Sequence, residues 1–240
     1  MAREPSVVTP ARYASGMTFS EYLAYIATPE NLAREGSPLG GGVRRDQSGA
    51  MRAAYESLKL DDARTAAWKS LVALPGGPAK ILVISEEWSS DCRRDVPAIA
   101  RVADTAGMEL RIFRRDGQKF SASQRPSLAE APDSNADIMA EFLNPKAGQT
   151  WQSIPVAVFY TKDLDYLYHY TEYPATYHKD RLRGHMTRPR AGETPAQAQE
   201  RGNREFAALQ GSPFFRVWSL AGTDEMLAAL HERLTVGSLA

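Results

Sequence analysis

The side chains most able to do chemistry are the hydroxyl of Ser89 and the thiol of Cys92, which lie three positions apart just after Trp88. Residues three apart in a helix are neighbours on one face, so both groups would face one site. Two thiols placed in this way at a helix N-terminus perform thiol-disulfide exchange, because the helix end stabilises the attacking thiolate and the second thiol resolves the mixed disulfide. Here the first position carries an alcohol, which needs an adjacent base before it can attack.

The residues around this pair resemble the active site of the thioredoxin family. Trp88 precedes the motif, Cys92 closes it four residues later, and Pro97 follows five residues beyond that cysteine. The family's Trp-Cys-x-x-Cys pattern is changed to Trp-Ser-Ser-Asp-Cys by Ser89 alone. This change is a natural loss or an introduced substitution.

A second match lies downstream, where Ile154-Pro155 opens an apolar run that ends at Tyr160. It resembles the family's strand whose leading Ile-Pro holds a cis peptide bond facing the active site. Together the matches cover roughly residues 78–172. They imply an α/β fold, thioredoxin-like, with a central mixed sheet flanked by helices.

The resemblance also implies roles for these side chains. Ser89 takes the position of the nucleophilic cysteine, and Trp88 forms a platform beside it, unless that ring is simply an apolar residue at the rim. Ile154 and Pro155 expose backbone groups that would bind a substrate strand, unless Pro155 simply forms a turn at the strand edge. The buried acid that the family often carries in the preceding strand is replaced by Val83. Because Ser89 stands in place of the nucleophilic cysteine, we expect weak or no dithiol activity from the sequence as it stands.

Charged residues near the motif have opposite effects on thiolate formation. Glu86, Glu87 and Asp91 are expected to be solvated, and Asp91 would disfavour a thiolate, whereas Arg93 and Arg94 would favour one. The remaining thiol, at Cys92, has two interpretations. It forms a mixed disulfide with a partner, or it is a small, partly buried apolar residue.

Two other functions remain open. One is a redox-inactive protein-binding or peptide-binding module that uses Trp88 and the edge at Pro155. The other is glutathione binding, since Ser-x-x-Cys at a helix start also resembles some glutathione transferases. Those proteins place their helical domain after the thioredoxin-like part, whereas here the helices mostly come first, so this alternative is the weaker one.

Composition narrows the class of partner. The 240 residues are 43% hydrophobic and 24% charged with zero net charge, which argues against an electrostatic nucleic-acid or membrane binder. A protein or a low-molecular-weight thiol or disulfide is the expected partner.

The single cysteine excludes an internal disulfide, and the four histidines show no metal-binding spacing, so we predict no cofactor or metal. The first residues lack the apolar core of a secretory signal, which favours the cytoplasm.

Local patterns predict the following organisation. Residues 1–16 are a flexible N-terminus, 17–77 a helical extension, and 78–240 a thioredoxin-like domain with an exposed, partly mobile polar insertion at about 174–203. The predicted elements are a helix from Thr18 to near Gly36, two helices within 47–74, a strand at 81–84, a helix from the serines to near Gly107, a strand at 109–113, a hairpin of 154–160 with 165–170, and a C-terminal helix carrying Met226, Leu227, Leu230 and Leu234.

Overall fold

The computed structural model describes residues 6–38 and 41–236. Its helices are α1 Pro10–Ala14, α2 Phe19–Ile26, α3 Pro29–Ala33, α4 Ser48–Ser57, α5 Asp62–Val72, α6 Ser90–Ala106, α7 Ala136–Ala140, α8 Lys179–Met186, α9 Pro195–Gln210 and α10 Pro213–Thr235. Its strands are β1 Lys80–Ser85, β2 Glu109–Arg114, β3 Asn144–Lys146, β4 Gln149–Trp151, β5 Val156–Tyr160 and β6 Tyr166–Thr171.

Four strands of the described part form one mixed sheet in the order β2-β1-β5-β6. β1 runs parallel to β2, and α6 makes the connection between them. β5 runs antiparallel to β1 and to β6, so β5 and β6 form the predicted hairpin. The expectation of a central mixed sheet flanked by helices is confirmed.

The middle of the sheet is buried on both faces. Residues 81–85 and the whole of β5 are buried, as their continuous apolar runs predict. The rings of Trp68 and Tyr168 stack on Phe159 with centroid distances of 6.1 and 6.4 Å. Aromatic residues of β6 therefore take part in sheet packing.

The N-terminal helices differ in length from the prediction. Thr18 and Glu21 form the expected capping box, but α2 ends at Ile26 because Pro29, capped by Thr28, starts a separate helix. Part of the segment predicted to be flexible is ordered against the sheet. Tyr13 of α1 is buried, and its hydroxyl donates a hydrogen bond to the backbone oxygen of Glu109 at 2.8 Å.

The polar stretch at 174–203, for which the sequence predicted no helix, is helical over much of its length. It contains α8 and the first turns of α9. A capping box between Thr194 and Gln197 starts α9, and Arg201 forms an ion pair with Glu193 at 2.8 Å. α8 has no buried residue. These helices lack a broad apolar stripe, which explains why periodicity alone did not reveal them.

Helix α10 closes the described chain. It begins at Pro213, well before the apolar stripe from which it was predicted, and it buries Met226 and Leu230. Near its start Phe214 and Val217 are exposed. None of the described helices is long and apolar enough to cross a membrane.

Candidate functional site

Ser89 lies at the point where the chain leaves the sheet and enters α6. It is the N-cap residue of that helix, with an extended backbone (φ −76°, ψ 126°). Its Oγ accepts a hydrogen bond from the backbone N–H of Cys92 at 3.4 Å. Serine is a preferred N-cap because its hydroxyl satisfies one of the free donors at the helix end, where the helix dipole also favours negative charge.

Cys92 lies one turn further along α6 and is fully buried. Burial raises the pKa of its thiol to about 12, although hydrogen bonds with the Glu86 backbone and the Ser85 and Ser89 side chains act in the opposite direction. The thiol is therefore protonated near neutral pH. This environment suits a shielded sulfur and not an attacking one.

Trp88, Ser89 and Ile154 line one cleft, with a volume of about 300 Å³. Cys92 and Pro155 lie outside its lining. The peptide bond between Ile154 and Pro155 is cis. The backbone oxygen of Pro155 accepts a hydrogen bond from the backbone N–H of Glu172 at 2.8 Å, which ties this loop to the end of β6.

The ring of Trp88 belongs to an aromatic wall of the cleft. It meets the ring of Phe120 edge-on, with centroids 5.6 Å apart. The guanidinium carbon of Arg115 lies 5.2 Å from the Trp88 centroid and 5.0 Å from that of Phe120. Trp151 of β4 also lines the cleft and is 47% exposed. Sequence patterns did not reveal Arg115 and Phe120, which lie in the polar stretch after β2, or Trp151, which lies in the short strand β4.

A charged group in the cleft was also missed. Lys179 of α8 forms ion pairs with Asp91 and, at 3.4 Å, with Glu172. Burial acts to lower the pKa of Lys179, but the two carboxylates outweigh it and raise that pKa above its usual value. Asp91 was expected to be solvated; it is 2% exposed because Lys179 and Arg94 pair with it.

Glu86 and Glu87 were likewise expected to be solvated, and this expectation is wrong. Both are about 1% exposed. Arg44 forms ion pairs with both carboxylates, and Arg34 pairs with Glu86 at 2.8 Å. Burial alone would raise the pKa of Glu86, but the two guanidiniums hold it below its usual value. Val83 is fully buried, as expected for the apolar residue that replaces the family's acid.

A further buried acid, Asp95, lies one turn along α6 from Asp91. Asp95 accepts hydrogen bonds from Arg94 at 2.6 Å and from the hydroxyl of Tyr170 at 2.8 Å. Burial raises the pKa of Asp95 to about 6, and the charge of Arg94 limits that rise. The helix thus carries a paired charge network from the cleft into the interior.

Comparison with known families agrees with the fold. Residues 43–132, which include the Trp88 to Cys92 motif, match the model of a family described as thioredoxin. Two solved structures are similar at 14% identity: a protein of unknown function from Pseudomonas aeruginosa (84% of this chain and 94% of that chain, TM-score 0.45) and an HIV epitope-scaffold (90% and 98%, TM-score 0.43). No curated protein matches. The family match over residues 43–132 and the mixed sheet with α6 after β1 support a thioredoxin-like fold.

Proposed function

We propose that this protein carries the site of a thiol-disulfide oxidoreductase in which Ser89 occupies the position of the nucleophilic cysteine, so that it performs little or no dithiol exchange as its sequence stands. The observation that carries the proposal is the position of Ser89 at the N-cap of α6, with its hydroxyl against the backbone of Cys92. A thiol there would face the donors that stabilise thiolates at helix ends.

The remaining thiol cannot replace the missing one. Because burial raises its pKa to about 12, Cys92 stays protonated at pH 7 and supplies almost no thiolate. It is also fully buried, so a substrate disulfide cannot reach it without local opening. A shielded sulfur one turn from an attacking group suits the second step of exchange, in which the mixed disulfide is resolved.

The test is reduction of a protein disulfide by dithiothreitol with the Ser89→Cys variant as catalyst. The thiolate introduced at position 89 attacks the substrate disulfide and releases one substrate thiolate. Cys92 then attacks the sulfur at position 89 and releases the second substrate thiolate, and dithiothreitol reduces the internal disulfide that results. We expect catalysis by Ser89→Cys and none by the parent chain.

Two variants control this test. Ser90→Cys adds a thiol one position away, where it lacks the N-cap geometry, and should not catalyse turnover. Ser89→Cys with Cys92→Ala keeps the nucleophile but lacks the internal resolving thiol, so its mixed disulfide must be reduced by dithiothreitol and turnover should be slower than with Ser89→Cys alone. A folded but inactive Ser89→Cys protein would contradict the proposal.

A redox-inactive binding module is the second candidate, and the exposure of Trp151 at the cleft favours it. Large aromatic side chains that remain exposed in a concave site are typical anchors for a bound chain. This function predicts that Cys92→Ala binds its protein or peptide partner as the parent does. A cytoplasmic location stays a prediction.

A further inference from the structure

The charges that line the cleft cancel one another. Among the described lining residues there are two carboxylates, Asp91 and Glu172, and two cations, Arg115 and Lys179. Each cation is engaged by a carboxylate of this chain, Lys179 by the two lining acids and Arg115 by Asp116 at 2.9 Å. A ligand that enters the cleft therefore meets no excess of either charge.

Arg115 is fixed by the surrounding structure. Besides Asp116, it donates hydrogen bonds to the backbone oxygens of Gln152 at 2.9 Å and of Ser121 at 3.1 Å. The rings of Trp88 and Phe120 lie close to its guanidinium, and the residue is 5% exposed. Arg115 supports the aromatic wall and offers little of its charge to a ligand.

Glu172 is fixed in the same way, and its backbone adopts the left-handed conformation (φ 69°), which is costly for a residue with a β-carbon. Its carboxylate accepts hydrogen bonds from Ser153 at 3.1 Å and from Asn144 at 3.3 Å. Its backbone N–H donates to Pro155, and its backbone oxygen accepts from Arg94. Glu172 thus joins the cis-proline loop, β3 and α6, and its position beside Lys179 is determined by all of them.

The surface that the cleft offers to a ligand is mainly aromatic. Trp151, at 47% exposure, belongs to the site that Trp88 and Phe120 also line. Aromatic rings in a cleft with balanced charge favour a ligand that supplies an aromatic side chain. Ser89 and Ile154 lie in the same cleft, so such a side chain would be next to the position of the nucleophile.

We propose that this cleft selects an extended peptide carrying an uncharged aromatic side chain next to its reacting sulfur, and that Glu172 determines this selectivity because it cancels the charge of Lys179 together with Asp91. The inference rests on the proposed function, because it takes Ser89 as the position at which a substrate disulfide is attacked. It adds the class of substrate and the residue that sets it.

The test uses the full chain with Ser89→Cys and Cys92→Ala. Peptides with one cysteine are joined through a disulfide to 5-thio-2-nitrobenzoate, and the residue after the cysteine is Trp, Ala, Glu or Lys. The thiolate at position 89 attacks the peptide sulfur, a protein–peptide disulfide forms, and the coloured aromatic thiolate leaves. The rate constants for the four peptides are compared within each protein, so differences in the reactivity of the introduced thiol between variants cancel.

We expect the Trp peptide to react at least about fivefold faster than the Ala peptide, with the Glu and Lys peptides within about twofold of each other. Removing one of the two charges should then make the cleft favour peptides of one charge over the other. In the same background Glu172→Gln should raise the Glu-to-Lys rate ratio about threefold, and Lys179→Gln should lower it by a similar factor. A general structural defect would not move the two ratios in opposite directions.

Other results overturn the inference. Equal rates for the Trp and Ala peptides, or ratios that move together in the two charge variants, contradict it while leaving the proposed function intact. If Glu172→Gln does not fold, as judged by circular dichroism, Lys179→Gln alone must give the predicted shift. A thiol at position 89 that reacts neither with these peptides nor with a small reference disulfide overturns the proposed function and the inference together.

Discussion

Arg34 donates a hydrogen bond to the carboxylate of Glu86 at 2.8 Å, and both side chains are almost completely buried. This pair joins the N-terminal region to the loop between β1 and α6, directly before the Trp88 to Cys92 motif. Arg34 also donates to the backbone oxygens of Asp116 and Gly117, at 2.6 and 2.9 Å. The N-terminal helices are therefore connected to the structure that positions the site.

Breaking this pair should destabilise the protein strongly. Arg34→Met leaves a buried carboxylate with fewer partners, and we expect the free energy of unfolding to fall by about 3–5 kcal/mol. Arg12→Met is the matched control, since Arg12 pairs with Asp137 at a partly exposed position and should cost about 1 kcal/mol or less. Urea denaturation measures the free energy of unfolding of both variants. Equal losses in the two variants would contradict a special role for the buried pair.

Glu86 should also make stability depend on pH in a defined direction. Its pKa is below the usual value in the folded protein because of Arg34 and Arg44, despite burial. Its ionised form therefore stabilises the fold above the unfolded pKa of about 4.3, and this contribution is lost as pH falls through the folded pKa. The stability of the parent relative to Glu86→Gln should decrease on acidification below about pH 4.3. A stability difference between the parent and Glu86→Gln that does not change with pH would contradict the lowered pKa of Glu86.

The helix cap at Ser89 should contribute measurably to stability. Ser89→Ala removes the acceptor for the Cys92 N–H, and we expect a loss of about 1 kcal/mol. Ser90→Ala, within the first turn of the same helix, should have a smaller effect because α6 is capped by the side chain of Ser89. Thermal unfolding of the two variants distinguishes them. If Ser90→Ala is the more destabilising change, the assignment of the cap is wrong.

Cys92 should resist modification in the native protein. Its thiol is fully buried and its pKa is about 12, so iodoacetamide should label it only after unfolding in urea. A thiol introduced by Ser90→Cys in a Cys92→Ala background provides the comparison, because Ser90 is partly exposed. Mass spectrometry follows both reactions. Labelling of native Cys92 as fast as the thiol introduced at position 90 would contradict the buried, protonated state.

The sequence predicted those parts of the site that depend on local signals. Ser89 is a preferred helix cap, so the start of α6 followed from the residue itself. The hairpin that presents Ile154 followed from two short apolar runs separated by a polar turn. These features needed no information about distant parts of the chain.

The parts that were missed depend on long-range contacts. Lys179 pairs with Asp91, which lies 88 positions earlier in the sequence, and no local sequence pattern predicts this contact. Glu86 was expected to be solvated because its partners, Arg34 and Arg44, lie 52 and 42 positions earlier in the chain, and no local pattern links them to it. A buried carboxylate is stable only when such partners are present, and the composition of its own segment does not reveal them.

Asp95 should give a pH dependence opposite to that of Glu86. Burial raises its pKa to about 6 in the folded protein, against about 3.9 when unfolded. Between these values the folded state binds a proton that the unfolded state does not, so stability decreases as pH rises from about 4 to 6. The stability of the parent relative to Asp95→Asn should therefore fall by roughly 3 kcal/mol over this range, measured by urea denaturation at each pH. Tyr170→Phe removes the hydroxyl that favours ionised Asp95, and should raise the midpoint of this transition. An increase in relative stability over the same range would show that Arg94 outweighs burial and lowers the pKa of Asp95.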